Sequence, residues 1–481
     1  MTMNLRALLD DQTAPDIEMS HLVLDSRVLQ SGDAFVAIPG GSQDGRRFIP
    51  DALAKGAVAV LCEAEGSDVT ADERIVMLPA LRSRLGQLGD RFYGSPSQAM
   101  TVVAATGTNG KTSVVDLTAQ ILRQTQGAAG SIGTLGARLD QQPQAASNTT
   151  PDCLALHRQL GQWRGAGVSY VALEASSHAL DQGRLDGVAI DVGVFTNLSR
   201  DHLDYHGSMQ DYCEAKLRLF RDFAPAVRIY NADDSAIAQH QDLWRDGGLG
   251  ISGSPGSAEV TFEVHQTAPL SLAISTPWGD GVVHTALAGR FNAFNMVAAI
   301  TIALSVGVPL EDTLAAAAAA RPVEGRLQTV GDGDDVAVVI DYAHTPDALE
   351  RALATLLESK QGGALWVVFG CGGDRDKGKR PEMGRIACQL ADRVVITSDN
   401  PRTEPPEQIV EDILQGCESA SPQIEVDRAA AIALAISEAA CGDTVLIAGK
   451  GHEDYQEIQG ARLPFSDLQH AVEHLSLRRA A

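Results

Sequence analysis

Residues 104–113 read Ala104-Ala105-Thr106-Gly107-Thr108-Asn109-Gly110-Lys111-Thr112-Ser113. They follow Met100-Thr101-Val102-Val103, a short apolar, β-branched run that predicts a buried strand. They precede Val114–Leu122, whose apolar residues recur at helical spacing. Strand, glycine turn and helix, in that order, is the setting of a phosphate-binding loop. Gly107 and Gly110 permit a tight turn that brings backbone N–H groups close to an anion. The helix start adds unpaired N–H donors and the positive end of its dipole. Lys111 brings a point charge for the β- and γ-phosphates, and Thr112 a hydroxyl for Mg²⁺. The usual loop has a further glycine five positions before Gly110. Here that position is Ala105, so the loop reads G-x-x-G-K-T-S.

At 481 residues the chain exceeds a single core, and about two to four domains are expected. The formal charge of −24 argues against a general nucleic-acid or anionic-membrane binder. It also requires local basic clusters wherever a phosphate-bearing substrate is held. Seven cysteines, odd in number and without a C-x-x-C pair, fit the reduced thiols of a cytoplasmic protein. Residues Met1 to Arg6 lack a signal-peptide core, and the apolar run Met296–Val308 is too short to cross a bilayer, so no membrane insertion is expected.

The order of elements predicts an α/β chain in three segments. Turn-rich Tyr93-Gly94-Ser95-Pro96-Ser97 and the stretch from Pro322 to Arg326 mark boundaries between 1–93, 94–321 and 322–481. The first segment alternates short strands (Ala34–Ile38, Ala57–Leu61) with helices. The central one has strands at Met100–Ala104, Tyr170–Leu173 and Val192–Thr196, separated by helical stretches, which predicts a mostly parallel sheet of the phosphate-loop type. The last has Val336–Ile340, Leu365–Phe369, Val394–Thr397 and Val445–Ala448, a second, Rossmann-like sheet. Function in such sheets collects beyond the carboxyl ends of the strands. Those ends carry Lys111 and Thr112; Glu174-Ala175-Ser176-Ser177-His178; and Asn197-Leu198-Ser199-Arg200-Asp201-His202-Leu203-Asp204. Glu174 and His202 could both reach a phosphate-bound Mg²⁺. On the predicted helix from Met209 to Phe223, Lys216 falls in the apolar stripe of Tyr212 and Phe220. Either it snorkels to solvent, or it points into a site with a shifted pKa or a modification.

Taken together, Gly107–Thr112, Asn148-Thr149-Thr150-Pro151, Glu174–His178, Asn197–Asp204, Gly289-Arg290-Phe291-Asn292, Asp341-Tyr342-Ala343-His344-Thr345-Pro346 and Asp399-Asn400-Pro401-Arg402 resemble, in this order, the Mur ligases of peptidoglycan synthesis. Within that family the resemblance is nearest to the members that add the third stem-peptide residue. It implies a three-domain fold: an N-terminal domain for the UDP part of the substrate, a central ATP domain, and a C-terminal domain that binds the incoming amino acid and closes over the site. The implied reaction is ATP-dependent addition of meso-diaminopimelate to UDP-N-acetylmuramoyl-L-alanyl-D-glutamate (UDP-MurNAc-L-Ala-D-Glu) through an acyl phosphate, by a cytoplasmic monomer.

The resemblance also implies residue roles. Gly107, Thr108, Asn109, Gly110, Lys111, Thr112, Ser113, Asn292, Asn295, Arg326, Asp341 and His344 would contact ATP. Thr112, Glu174 and His202 would hold Mg²⁺, together with Lys216 carbamylated by CO₂. Leu24, Ser26 and the loop Ser42-Gln43-Asp44-Gly45 would meet the uridine end, where the family often has His-Gln-Ala. Asn148, Thr149, Thr150, Ser176, Gln182 and Arg184 would hold the muramoyl-dipeptide. Arg375, Asp399, Asn400, Pro401, Arg402, Gly449 and Glu453 would choose the amino acid, because Arg402 can pair bidentately with the distal carboxylate that lysine lacks. Two other readings stay open from sequence: a related ligase for another amino acid or for folate glutamylation, and a nucleotide-binding switch or kinase.

Overall fold

Parallel strands covered on both faces need apolar side chains on both, and the strand runs of this chain supply them. The structure, a computed structural model, describes residues 2–40, 43–66, 72–139, 142–144, 149–331, 335–360, 362–417 and 421–480. The chain is divided between two units, one made of Met1–Thr106, Gln126–Val194 and Ala215–Arg228, the other of Gly107–Thr125, Phe195–Glu214 and Ile229–Ala481.

The first unit contains a four-stranded parallel sheet, Leu22–Val23, Ala34–Ala37, Ala59–Glu63 and Ile75–Leu78, ordered as in the sequence. Alternate side chains separate two cores. Ala34, Val36, Ala59 and Leu61 pack with Leu81, Leu85, Leu88 and Phe92 of the helix Leu81–Phe92. Phe35, Ala37, Val60 and Cys62 pack with Ile49 and Ala52. The strand expected at Ala57–Leu61 runs two residues later, since Ala57 and Val58 still belong to the turn that leaves the preceding helix. The same unit holds the parallel strands Ala129–Gly133, Tyr170–Glu174 and Thr101–Thr106, with Tyr170–Glu174 in the middle. The phosphate-loop strand therefore ends at Thr106, two residues beyond the predicted end.

The second unit contains a six-stranded sheet ordered Gln328–Val330, Ala337–Asp341, Thr444–Ala448, Leu365–Phe369, Arg393–Ile396 and Gln423–Ile424. Only its first pair is antiparallel. Val367, Phe369 and Leu446 face the helices Pro346–Ser359, Lys379–Leu390 and Pro406–Leu414. Trp366, Val368, Val445 and Ile447 face Arg428–Glu438 and Asp467–Ala480. The parallel strands end at Asp341, Phe369, Ile396 and Ala448, so the four charged or glycine-rich runs read from sequence leave one edge of one sheet. The apolar run Met296–Val308 lies largely in the buried helix Arg290–Ser305. Among the described residues no helix is long and apolar enough to cross a membrane. Sequence patterning did not reveal the antiparallel ladder Val260–Thr267, Leu270–Thr276 and Gly279–His284, whose exposed residues break the apolar alternation.

At Gly86 the helix Leu81–Phe92 touches the backbone of Asp186 and Gly187 without a side chain between them. A β-carbon there would lie 2.5 Å from the Asp186 carbonyl oxygen and closer still to its carbon. Gly86→Ala is expected to lower stability by about 3 kcal/mol, because backbone rather than a flexible side chain must yield. Urea unfolding measures this, and an unchanged midpoint would show that the contact is not as tight as drawn.

Candidate functional site

The loop after Thr106 is held from one side. Thr108 N–H donates to the Asn197 carbonyl (2.9 Å) and Asn109 N–H to Asn197 Oδ1 (2.9 Å). Thr196 Oγ1 and Asn197 Nδ2 both donate to the Asn109 carbonyl (2.6 and 2.9 Å), and Ser199 N–H donates to Thr108 Oγ1 (3.0 Å). Gly107 has φ +144° and a β-carbon on it would run into Thr196 Oγ1, while one on Gly110 (φ +86°) would lie 2.6 Å from Asn295 Oδ1. Both glycines are thus required by space as well as by dihedral. Lys111 Nζ curls back onto the carbonyls of Gly107 (2.9 Å) and Thr108 (2.8 Å), from which an incoming phosphate would draw it.

Residues from beyond position 321 meet this loop. Arg326 Nη2 donates to Thr112 Oγ1 (2.9 Å), and the guanidinium lies over the Tyr342 ring at 4.6 Å. Arg326 Nε is buried with no hydrogen-bond partner among the described residues. A buried cationic donor without an acceptor is costly, and an anionic ligand would satisfy it. Asn109 Nδ2 donates to Asp347 Oδ2 (2.7 Å). Asn109, Gly110, Ser113, Phe294, Asn295, Arg326 and Asp341 line one cavity. Asn292 does not: it holds Asn295 Nδ2 (3.0 Å) from behind and opens on a neighbouring cavity. Asp341 accepts from Leu327 N–H (2.7 Å), and burial raises its pKa. His344 Nδ1–H donates to the Tyr342 carbonyl (2.7 Å), and burial, then Lys379, lower its pKa.

His202 sits in the left-handed region (φ 55°), with Nε2 3.3 Å from Asp201 Oδ2. Burial works to raise the Asp201 pKa. His202, Lys379 and His344 outweigh it and hold the carboxyl at about 2, so it stays ionised beside the imidazole. Thr112 and His202 belong to the second unit, Glu174 and Lys216 to the first. The Glu174 carboxylate is buried and accepts from Thr134 N–H (2.7 Å) and Thr134 Oγ1 (3.2 Å). Lys216 is only 1% exposed, among the most buried large side chains of the protein. It does not snorkel out of its apolar stripe.

Also in the first unit, Thr150 Oγ1 donates to the Glu174 carbonyl (2.6 Å). Arg184 donates to the Thr150 carbonyl (2.9 Å) and grips Gln182 Oε1 through Nε and Nη2 (3.0 and 2.7 Å). Ser176 caps the short helix Ser177–Asp181, and Thr149 stands half-buried beside Thr150. Leu24 and Ser26 are half-buried, and the Ser26 carbonyl takes a bond from Lys55 Nζ (2.7 Å). Asn148 and Ser42 lie outside the described residues.

The strand ends of the six-stranded sheet form a network that only partly follows the motif. Asn400 Nδ2 donates to Glu453 Oε2 (2.9 Å), while Asn400 Oδ1 accepts from Lys450 Nζ (3.1 Å) and Glu457 N–H (2.9 Å). Lys450, fully buried, also donates to Glu453 Oε2 (2.8 Å). Gly449 (φ +119°) permits this, since a β-carbon would lie 2.5 Å from Asp399 Oδ2. Arg402 is left-handed (φ 53°), donates to the Gly373 carbonyl (2.7 Å) and stands 3.5 Å from Glu457 Oε2. Arg375 is exposed, and both arginines flank Gly372. Pro401 is buried behind them.

Sequence reading missed the supports beneath. Arg428, opening a helix without a motif, forks onto Asp467 (Nε and Nη2, both 2.8 Å) and donates to the carbonyls of Ser398 (3.3 Å) and Ala448 (3.0 Å). It thereby ties the two strand ends that carry Asp399 and Gly449. Arg380, also fully buried, forks onto Glu404 (3.1 and 2.9 Å) and bonds Asp412 (2.8 Å). Their carboxylate partners lie 24 to 39 residues away, so no local pattern marks the pairs. Lys450 had one, since it lies in the glycine run after a strand.

Three family models match the chain: "Mur ligase family, catalytic domain" over residues 18–93, "Mur ligase middle domain" over 105–303 and "Mur ligase, glutamate ligase domain" over 325–451. A relative from Pseudomonas aeruginosa, named UDP-N-acetylmuramoyl-L-alanyl-D-glutamate–2,6-diaminopimelate ligase, is 44% identical over 99% of each chain. One of the same name from Chromobacterium violaceum is 46% identical over 94% of this chain and 93% of its own. A solved structure of a ligase of that name superposes with a TM-score of 0.68 at 34% identity, covering 100% of both chains.

Two measurements check the supports. The Arg380 fork beside Glu404 holds that carboxyl at about 2, against an unfolded value of about 4.3. Its contribution is therefore fully present above about pH 4.3 and is lost as pH falls towards 2. The difference in urea midpoint between wild type and Glu404→Gln should hold from neutral pH to about 5 and close below about 4.3. A difference that persists unchanged near pH 2 would overturn the assignment. Asp467→Asn leaves the buried Arg428 charge half-paired and should cost about 3–5 kcal/mol by the same method. A cost under about 1 kcal/mol would mean that the pair relaxes without loss.

Proposed function

The chain belongs to the Mur ligase family, and from that premise we propose that it joins meso-diaminopimelate to UDP-MurNAc-L-Ala-D-Glu at the expense of ATP. The D-glutamyl carboxylate attacks the γ-phosphorus of ATP. ADP leaves and an acyl phosphate forms. The diaminopimelate amine attacks the acyl carbon, loses a proton, and phosphate leaves as the amide bond forms. No covalent enzyme intermediate is needed, so the chain's work is positioning and charge stabilisation.

Thr108 to Ser113 and Lys111 Nζ receive the phosphates. Arg326 supports this reading most directly, because its Nη2 holds the loop hydroxyl of Thr112 while its buried Nε has no partner among the described residues. Asn292 and Asn295 serve the adenine end, and Asp341 and His344 approach from the last segment. Thr112 and Glu174 are the oxygen donors that suit Mg²⁺, with His202 to complete the set, and the ion would offset charge on the transferring phosphoryl group. A lysine 1% exposed fits that set poorly as a cation. Addition of CO₂ to its neutral amine, with release of a proton, makes Lys216 an anionic carbamate that fits it. Residues 1–93 with Leu24 and Ser26 take the uridine end, and Thr149, Thr150, Ser176, Gln182 and Arg184 the dipeptide. Residues 94–321 carry ATP and 322–481 the amino acid. The enzyme works as a cytoplasmic monomer on small molecules.

Selectivity rests on Arg402 and Arg375 flanking Gly372, with Asn400 and Glu453 held by Lys450 and Asp399 packed against Gly449. Diaminopimelate supplies a distal carboxylate to the guanidinium, and lysine would leave it unmatched. Phosphate release should therefore require UDP-MurNAc-L-Ala-D-Glu and favour diaminopimelate over L-lysine by about 10⁴-fold in kcat/KM. Arg402→Met should erase most of that preference by impairing diaminopimelate. Equal turnover of both amino acids by the wild type would sink the carboxylate pairing, and no turnover with either would sink the ligase reading. A ¹³C-carbonate-derived carbamate resonance, absent in Lys216→Ala, checks the modification separately.

A further inference from the structure

We propose that His470, Glu473 and His474 form a binding site for a divalent transition-metal ion such as Zn²⁺ on the outer flank of the helix Asp467–Ala480. Spacings of three and four residues bring the side chains onto one helical face. Each offers one ligand atom, and these atoms lie within 4.8 Å of one another. The opposite face of the helix is fixed in the core by Ala471 and Leu475, so the trio cannot turn inward. Both histidines are half-buried and Glu473 is exposed, which leaves the cluster open to an ion from solvent. The Phe465 ring stands 4.8 Å from that of His470 and restricts it.

The donor chemistry selects the ion. Two imidazoles and a carboxylate form a three-ligand set for Zn²⁺, with a fourth position left to water. Imidazole favours zinc, copper and nickel over Mg²⁺, which prefers oxygen donors and keeps its waters. Bonds of about 2.0–2.1 Å place tetrahedral donors about 3.4 Å apart, so small side-chain rotations close the present spacing. The formal charge of −24 draws cations to the surface in general. The ion would join the first and second turns of a helix that begins at Asp467, the residue gripping Arg428. It would brace the anchor beneath the two strand ends.

The test uses the full chain freed of metal by chelation, with excess Mg²⁺ present. Zn²⁺ binding is measured by equilibrium dialysis with metal analysis. Wild type should bind one Zn²⁺ more than His470→Ala/His474→Ala, and Zn²⁺ should raise the Tm of wild type but not of the variant. Equal stoichiometry, or a Zn²⁺-dependent Tm rise that survives in the variant, would overturn the proposal. Should the double variant fold poorly, histidine-selective NMR of wild type decides. Zn²⁺ must shift the ring resonances of His470 and His474, and unmoved resonances would overturn it.

Discussion

The loop that follows Thr106 depends on how closely the backbone at Gly107 is pressed against Thr196 and Asn197. No β-carbon fits there, and polar groups of the loop are taken up by the Thr196–Ser199 segment. With the Thr108 and Asn109 N–H groups bonded to Asn197, the loop is fixed in shape before any anion arrives, so little ordering remains when one binds. Lys111 resting on the loop carbonyls, and Arg326 on Thr112, keep two cations at the same place in a chain whose overall charge would repel phosphate. The local arrangement overrides the global field because charge interaction strengthens at short range in a partly buried setting.

The strand ends of the six-stranded sheet are held by buried ion pairs instead. Arg428 with Asp467, Arg380 with Glu404 and Asp412, and Lys450 with Glu453 lie beneath loops that carry few apolar residues. Loops of this composition cannot be fixed by hydrophobic packing. Forked guanidinium pairs fix direction as well as distance. A buried pair adds little net stability, yet loss of either partner is severe. The same interactions therefore make the loops well placed and fragile.

The strands were legible because burial on both faces leaves continuous apolar runs, as at Leu365–Phe369 and Thr444–Ala448, and because glycine follows them. The glycine loop after Thr106 was legible because its pattern is local: strand, glycines and helix start are adjacent. Lys216 was ambiguous, since spacing on a helix cannot tell a snorkelling lysine from a buried one, and only its 1% exposure separates them. Asn292 and Asn295 looked equivalent in sequence, but helix phase puts Asn295 on the cavity and Asn292 behind it. Arg428 and Asp467, 39 residues apart, carried no mark at all.

What the sequence determined by itself was the set of elements and the chemical groups at their ends, because strand burial, helix phase and turn chemistry act over a few residues. Tertiary structure alone decided which of those groups meet. Arg326 reaches Thr112 across 214 positions and Asn109 reaches Asp347 across 238. Such contacts follow from sheet order and from packing without voids, and these are properties of the assembled core that no local pattern encodes.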